Sequence, residues 1–171
     1  WMQDRGLVGF RFHPFYYPGK QIIVDAGNRP MWEELAAREA VVQFHMKPCD
    51  AGQVAELAQR YPDMKLIIAH LGYPDLETGM SCFKPILELA RHANMVVKIS
   101  DVKGRSQEDF PFRDIHPYIK ALIDIFGVER AMWGSGYPVK HRTKHAWLSL
   151  ADELRLVREG YKFLTCSQQD R

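Results

Sequence analysis

The sequence predicts an α/β fold with about five parallel strands in one domain that spans residues 1–171. Short apolar runs begin near residues 7, 41, 66, 95 and 131, and amphipathic segments separate them. The starts lie 34, 25, 29 and 36 residues apart, and one unit of an eight-fold barrel averages about 31 residues. Both an open doubly wound sheet and part of a barrel are compatible with this spacing.

The five runs are predicted strands because they are short, mostly apolar and rich in β-branched residues. This composition is typical of strands that are buried on both faces of a parallel sheet. The predicted strands are residues 7–12, 41–45, 66–70, 95–100 and the weaker run 131–133.

Helices are predicted between the strands, where apolar residues recur at helical spacing. Pro30 suits a first helical turn, Asp50 and Asp114 suit N-terminal caps, and Gly127 suits a helix end. The predicted helices are residues 31–39, 51–60, 83–91, 114–126 and 147–157.

Charge and composition limit the classes of function. The 23 basic and 21 acidic residues give a net charge of +2, which does not indicate nucleic-acid or membrane binding. The three cysteines are odd in number and widely spaced, and they favour a reducing compartment. We therefore predict a cytoplasmic protein that acts on a small molecule.

Two predicted strands that follow one another end in histidine, at His45 and His70. Neighbouring strands lie only ~4.8 Å apart, so two imidazoles at the same edge can bind one divalent cation. The alternative is that each ring only bonds a backbone carbonyl at its strand end.

Arg11 and His13 alternate with Phe10 and Phe12, so they share one face of the first predicted strand. On a barrel strand that face can point inward, which makes Arg11 and His13 candidate substrate-binding residues. Otherwise they form a satisfied polar pair. A basic segment at residues 140–145 can bind a carboxylate or can simply face water.

Four motifs resemble the amidohydrolase-related family (amidohydrolase 2), which includes lactonases and aminocarboxymuconate-semialdehyde decarboxylase-like enzymes. They are Phe-His-Met-Lys-Pro at 44–48, Ala-His-Leu-Gly at 69–72, Val-Lys-Ile-Ser at 97–100 and Trp-Gly-Ser-Gly-Tyr-Pro at 133–138. The resemblance implies a partial (β/α)8 TIM barrel whose five strands correspond to strands four to eight. It also implies that His45 and His70 bind a divalent metal such as zinc, manganese or iron.

The chain departs from the family pattern at two places. The family's first strand ends in His-x-His, and no such motif occurs here. The family's aspartate after the last strand binds metal and acts as general base, but this chain has Gly136 there. The catalytic residue is therefore not identified by the resemblance.

The resemblance implies a hydrolase that uses a metal-bound water on a small carboxylate or lactone, with activity impaired by the missing residues. Some lactonases of this group are understood to work without a divalent metal. A decarboxylase of the aminocarboxymuconate-semialdehyde type is one alternative. A non-catalytic, truncated protein that acts through assembly is the other. Because a half barrel leaves strand edges unpaired, we expect a homo-oligomer or a preceding segment to cover them.

Overall fold

A single parallel sheet organises the chain, which the computed structural model describes over residues 3–135 and 148–169. The five strands pair in the order β1-β2-β3-β4-β5, and every pair is parallel. The number, order and direction predicted for the strands are thereby confirmed. The strands are β1 (Gly9–Phe12), β2 (Val41–Phe44), β3 (Leu66–Ile68), β4 (Met95–Ile99) and β5 (Ala131–Trp133).

Helices follow each of the first four strands, as the spacing predicts. Gly127 ends the longest of them with a φ of 79°, a conformation that favours glycine at a helix end. The start of the predicted helix 147–157 lies outside the described residues. The helices are α1 (Arg29–Ala37), α2 (Ala51–Arg60), α3 (Gly79–Glu88), α4 (Val102–Arg105), α5 (His116–Phe126), α6 (Leu150–Arg155) and α7 (Cys166–Gln169).

The two predicted acidic caps do something else. The Asp50 carboxylate accepts a hydrogen bond from the Lys47 backbone N–H at 2.9 Å, in the short turn before α2. Asp114 accepts from the Gln107 N–H at 2.7 Å and from the Ser106 hydroxyl. In both cases a 3₁₀ turn precedes the helix, and the carboxylate bonds to residues before that turn instead of to the first N–H groups of the helix.

The core lies on one face of the sheet. Alternate strand residues such as Val42, Phe44, Leu66 and Ile68 are fully buried, and Trp32 of α1 contacts the Phe44 ring on that face. The residues between them are only half-buried. A doubly wound sheet carries helices on both faces, whereas a barrel segment carries them on one. The structure is therefore part of a barrel, with the half-buried face corresponding to the barrel interior.

The edge strands β1 and β5 expose apolar side chains. Val8 is 80% exposed, and Phe10, Met132 and Trp133 are each 40–42% exposed. Unpaired strand edges are sites where another chain segment can add. Coverage of these edges by a second copy or a preceding segment stays a prediction. Within the described residues, no helix is both long and apolar enough to cross a membrane.

Glu153 on α6 is a buried acid, with only 4% of its surface exposed. Burial raises its pKa to about 7, and the charge of Asp101 contributes in the same direction. The folded protein therefore holds a proton that an unfolded glutamate releases near pH 4.5. The protonated form of Glu153 thus suits the folded protein, and its full contribution to the free energy of unfolding is present below pH 4.5. That contribution is lost as the pH rises through 7, where the buried side chain becomes charged.

Glu153→Gln is expected to stabilise the protein at pH 8 by about 3 kcal/mol, since folding raises the pKa from 4.5 to about 7 and each tenfold change in the acid constant corresponds to ~1.4 kcal/mol. At pH 5 the difference should nearly vanish, because glutamic acid and glutamine are then alike in charge. Urea unfolding at both pH values measures this difference in stability between the variant and the unmodified chain. Exposed Glu159 provides the control Glu159→Gln, which should show no such pH dependence. A Glu153→Gln effect that is equal at both pH values would contradict the assignment.

Candidate active site

Three histidines meet at the carboxyl edge of the sheet, and we call them the imidazole cluster: His13, His45 and His70. They follow β1, β2 and β3, and parallel strands place such residues at the same edge. The ring centroids of His13 and His45 are 5.2 Å apart, and those of His45 and His70 are 5.4 Å apart. The imidazoles predicted to lie side by side are thus neighbours in space.

The turn after β3 directs His70 into the cluster. Four successive residues have left-handed backbones, with φ of 51° at His70, 61° at Leu71, 74° at Gly72 and 56° at Tyr73. Left-handed geometry costs a non-glycine residue roughly 1–2 kcal/mol, so the surrounding contacts must hold the turn. Leu71 is fully buried, and the Tyr73 hydroxyl lies 2.7 Å from His45 Nε2. The turn therefore places both His70 and Tyr73 against His45, with ring centroids 5.4 Å and 4.9 Å from the His45 ring.

The contacts of His70 define its tautomer. Arg11 Nη2 lies 3.0 Å from His70 Nε2, and Ser100 Oγ lies 3.0 Å from His70 Nδ1. A guanidinium can only donate hydrogen bonds, so Nε2 carries the lone pair and accepts from Arg11. Nδ1 carries the proton and donates to the Ser100 hydroxyl. The single lone pair of neutral His70 is thus used by Arg11.

His45 is the most buried member of the cluster, at 5% exposure. Its Nδ1 lies 3.1 Å from His13 Nδ1, and its Nε2 faces the Tyr73 hydroxyl. One of the two Nδ1 atoms must donate and the other must accept. Both ring nitrogens of His45 are therefore in hydrogen-bond contact with protein groups.

Positive charge surrounds the cluster. Burial, together with the charges of Arg11, His45, Lys98 and Arg105, lowers the pKa of His70 to about 3. Burial and Arg11 also lower the pKa of His13. His70 is therefore neutral at pH 7. The net field at this edge attracts anions and repels cations.

The described residues do not fit a divalent cation. They contain no group of three or more His, Cys, Asp and Glu side chains that could hold one, whereas a catalytic metal needs about three protein ligands. A dication about 4 Å from the Arg11 guanidinium would be repelled by roughly 8 kcal/mol at an effective dielectric constant of about 20. Gly136 and the basic segment 140–145 lie outside the described residues. Metal binding by His45 and His70 stays a prediction.

A cavity of about 790 Å³ opens beside His45. Two cations lie over aromatic rings in its wall: Lys47 Nζ is 4.8 Å from the Phe15 centroid, and Arg105 Cζ is 4.1 Å from the Tyr73 centroid. Such a pocket suits a small planar or ring-shaped anion, which can contact the aromatic faces and the cations together.

The structure brings all four sequence-predicted site residues together, since Arg11 contacts His70 and His13 contacts His45. Sequence reasoning missed Tyr73, Lys47 and Arg105. Tyr73 and Lys47 follow the histidine-bearing strand ends by two or three residues, which is a usable signal. No local pattern indicated Arg105, because α4 is only four residues long.

The one-sided β/α sheet, with polar side chains gathered at its carboxyl edge, defines a (β/α)8-barrel type of protein. The chain belongs to the Amidohydrolase family, whose model matches residues 1–171. The resemblance noted from the motifs is thereby confirmed.

Two relatives show the extent of the match. The chain is 27% identical over 138 residues to L-fucono-1,5-lactonase of Burkholderia ambifaria, covering 77% of this chain and 48% of that protein. It is 31% identical over 123 residues to an uncharacterised protein, y4mH, of Sinorhizobium fredii, covering 67% of this chain and 40% of that protein. The chain therefore spans slightly less than half the length of these relatives.

Solved structures confirm the fold. A 2-pyrone-4,6-dicarboxylic acid hydrolase, so described provisionally, from Pseudomonas putida superposes with a TM-score of 0.80 at 23% identity, covering 99% of this chain and 61% of that one. An amidohydrolase from Burkholderia multivorans with bound zinc gives a TM-score of 0.80 at 22% identity, covering 99% and 64%. At this identity the likeness shows the fold alone, which is a partial barrel.

Proposed function

We propose that this chain carries part of the active site of an amidohydrolase-type enzyme that hydrolyses a small carboxylate or lactone. The proposal rests on the contact of Arg11 with the imidazole cluster, whose member His45 lines a cavity together with Lys47 and Arg105. Family membership supports it, and so does the lactonase activity named for the Burkholderia ambifaria relative.

The residues suit the charge changes of hydrolysis. Water gives up a proton and adds to the carbonyl carbon, and negative charge develops on the carbonyl oxygen. The carbonyl then re-forms as the ring C–O bond breaks, and the leaving ring oxygen takes up a proton to become the alcohol. The Arg11 guanidinium has five N–H donors, of which one is directed to His70. Its charge can stabilise either a substrate carboxylate or the developing oxyanion.

Proton transfer requires a different residue. With a pKa of about 3, His70 cannot hold a proton at neutral pH, so its role is to position Arg11. His13 is half-buried, and its lowered pKa leaves it neutral and able to accept a proton from water. We assign His13 as the candidate proton acceptor, because the sequence has Gly136 at the position of the family's aspartate.

A non-catalytic role in assembly is the second candidate. The exposed apolar side chains on the β1 and β5 edges favour it, and Gly136 removes the family's usual general base. Decarboxylation would use the same carboxylate-binding groups. The cytoplasmic location and the oligomeric state stay predictions.

Hydrolysis of a panel of sugar lactones, including L-fucono-1,5-lactone, tests the proposal with a pH-indicator assay on the purified chain. Arg11→Ala is expected to lower kcat/KM by about 10- to 100-fold, because a charged hydrogen bond contributes ~1.5–3 kcal/mol. Arg38→Ala is the matched control, since Arg38 pairs with Glu34 on the outer surface of α1. Hydrolysis no faster than buffer, or equal rates for the two variants, would argue against a hydrolase.

A further inference from the structure

We propose that Arg11 is the resident cation of this edge: its guanidinium occupies the lone pair of His70, so that the edge binds anions in place of a metal. The inference deepens the proposed hydrolase function and rests on it for its biological meaning. What it predicts, however, is only which ions the described residues bind.

The direction of the His70 lone pair opposes metal binding. A neutral imidazole offers one lone pair to a metal, and in His70 that lone pair faces Arg11 Nη2 at 3.0 Å. The Ser100 hydroxyl at His70 Nδ1 holds the opposite nitrogen as the proton donor. A metal on Nε2 must therefore displace the guanidinium, while a metal on Nδ1 must displace Ser100.

The charges of the neighbouring side chains on the same face also oppose metal binding. Arg11 pairs in register with Gln43, and the Gln43 side-chain oxygen accepts from the Lys98 ammonium at 3.0 Å. The nearby carboxylate of Asp101 is paired with Arg105 at 3.4 Å. The inner face thus carries two cations, Arg11 and Lys98, beside the imidazoles. The negative charge of Asp101 is balanced by a third cation, Arg105.

The ligand that best suits the Arg11 guanidinium is a small carboxylate. A guanidinium presents parallel N–H donors that match the two oxygens of a carboxylate. Arg11 is exposed, so a solute can reach it from the half-buried face of the sheet. Neutral His70 beside it adds a hydrogen-bonding group without adding a competing negative charge.

Equilibrium dialysis of the intact chain against zinc, followed by metal analysis, tests directly whether Arg11 prevents metal binding. The unmodified chain is expected to bind less than about 0.1 equivalent at micromolar free zinc, because the described residues hold no group of three ligands for a metal. Arg11→Met removes the charge and keeps a long side chain. It should raise zinc affinity about 10-fold or more, since the repulsion disappears.

Two controls assign any gain to this edge. Arg38→Met, on the outer surface, should leave zinc binding unchanged. The pair Arg11→Met/His70→Asn should lose the gain, because the lone pair freed by the first change is then removed. If Arg11→Met lacks the circular dichroism of the parent, Arg11→Gln replaces it.

Isothermal titration calorimetry with malonate tests whether this edge binds a small carboxylate. Arg11→Met should weaken malonate binding by about 10-fold, as expected for loss of a charge-assisted pair, whereas Arg38→Met should not. Stoichiometric zinc on the unmodified chain, no zinc gain in Arg11→Met, or malonate binding independent of Arg11 would each overturn the inference. None of these readouts requires catalysis, so failure of the hydrolase assay is a separate result.

Discussion

Replacing Ile68 with alanine is expected to lower the free energy of unfolding by about 2–5 kcal/mol, the usual cost of removing a large buried aliphatic side chain. Ile68 lies in β3, the central strand, and is fully buried on the helix-covered face. It also precedes His70 by two residues. The substitution removes apolar contacts and leaves a cavity that the neighbouring strands cannot close. Urea unfolding monitored by circular dichroism measures the loss.

Ile125→Ala is the matched control, because it makes the same chemical change on the surface. Ile125 lies in α5 and is 50% exposed. Surface substitutions usually change stability by no more than about 0.5 kcal/mol. Equal losses at Ile68 and Ile125 would mean that the core does not lie on the face of the sheet where the structure places it.

Gly72→Ala is expected to cost about 2–4 kcal/mol, the sum of a left-handed backbone and an overpacked core. Gly72 has a φ of 74°, and a Cβ added there would lie 2.9 Å from two carbons of the Ile86 side chain. Ile86 is fully buried, so it has little freedom to move away. Because the same turn carries His70 and Tyr73, the change should also displace the imidazole cluster. Urea unfolding measures the stability loss.

Gly79→Ala separates the two contributions. Gly79 has the same φ of 74°, but an added Cβ would meet nothing within 4 Å. It should therefore show only the backbone cost of about 1–2 kcal/mol. Ile86→Val in the Gly72→Ala background should recover part of the loss by making room, a non-additive effect expected for residues in contact. Equal costs at Gly72 and Gly79, with no such recovery, would disprove the proposed clash.

The strands were predictable because their signal is local. Predicted runs 41–45 and 95–100 correspond to Val41–Phe44 and Met95–Ile99, since apolar β-branched residues mark strands buried in a parallel sheet. The position of His13, His45 and His70 at one edge of the sheet was also predictable. Parallel strands place the residues that follow them at one edge, whatever lies between the strands.

The contacts within the site were not predictable, because they join residues distant in the chain. Arg11 and His70 are 59 positions apart, and His45 and Tyr73 are 28 apart. Three of the four left-handed residues at 70–73 are not glycine, so composition did not mark that turn. Likewise, Asp50 looked like a helix cap because sequence cannot show that a 3₁₀ turn comes first.

The amino-acid sequence alone thus determined the family, the parallel β/α order and the edge at which polar side chains collect. These follow from apolar periodicity and from motifs a few residues long. Tertiary structure alone decided which atom faces which, including the Arg11 guanidinium on the lone pair of His70. That contact sets the charge of the edge, and it depends on the register of β1 through β3 and on a strained turn, neither of which is encoded in local residue preference.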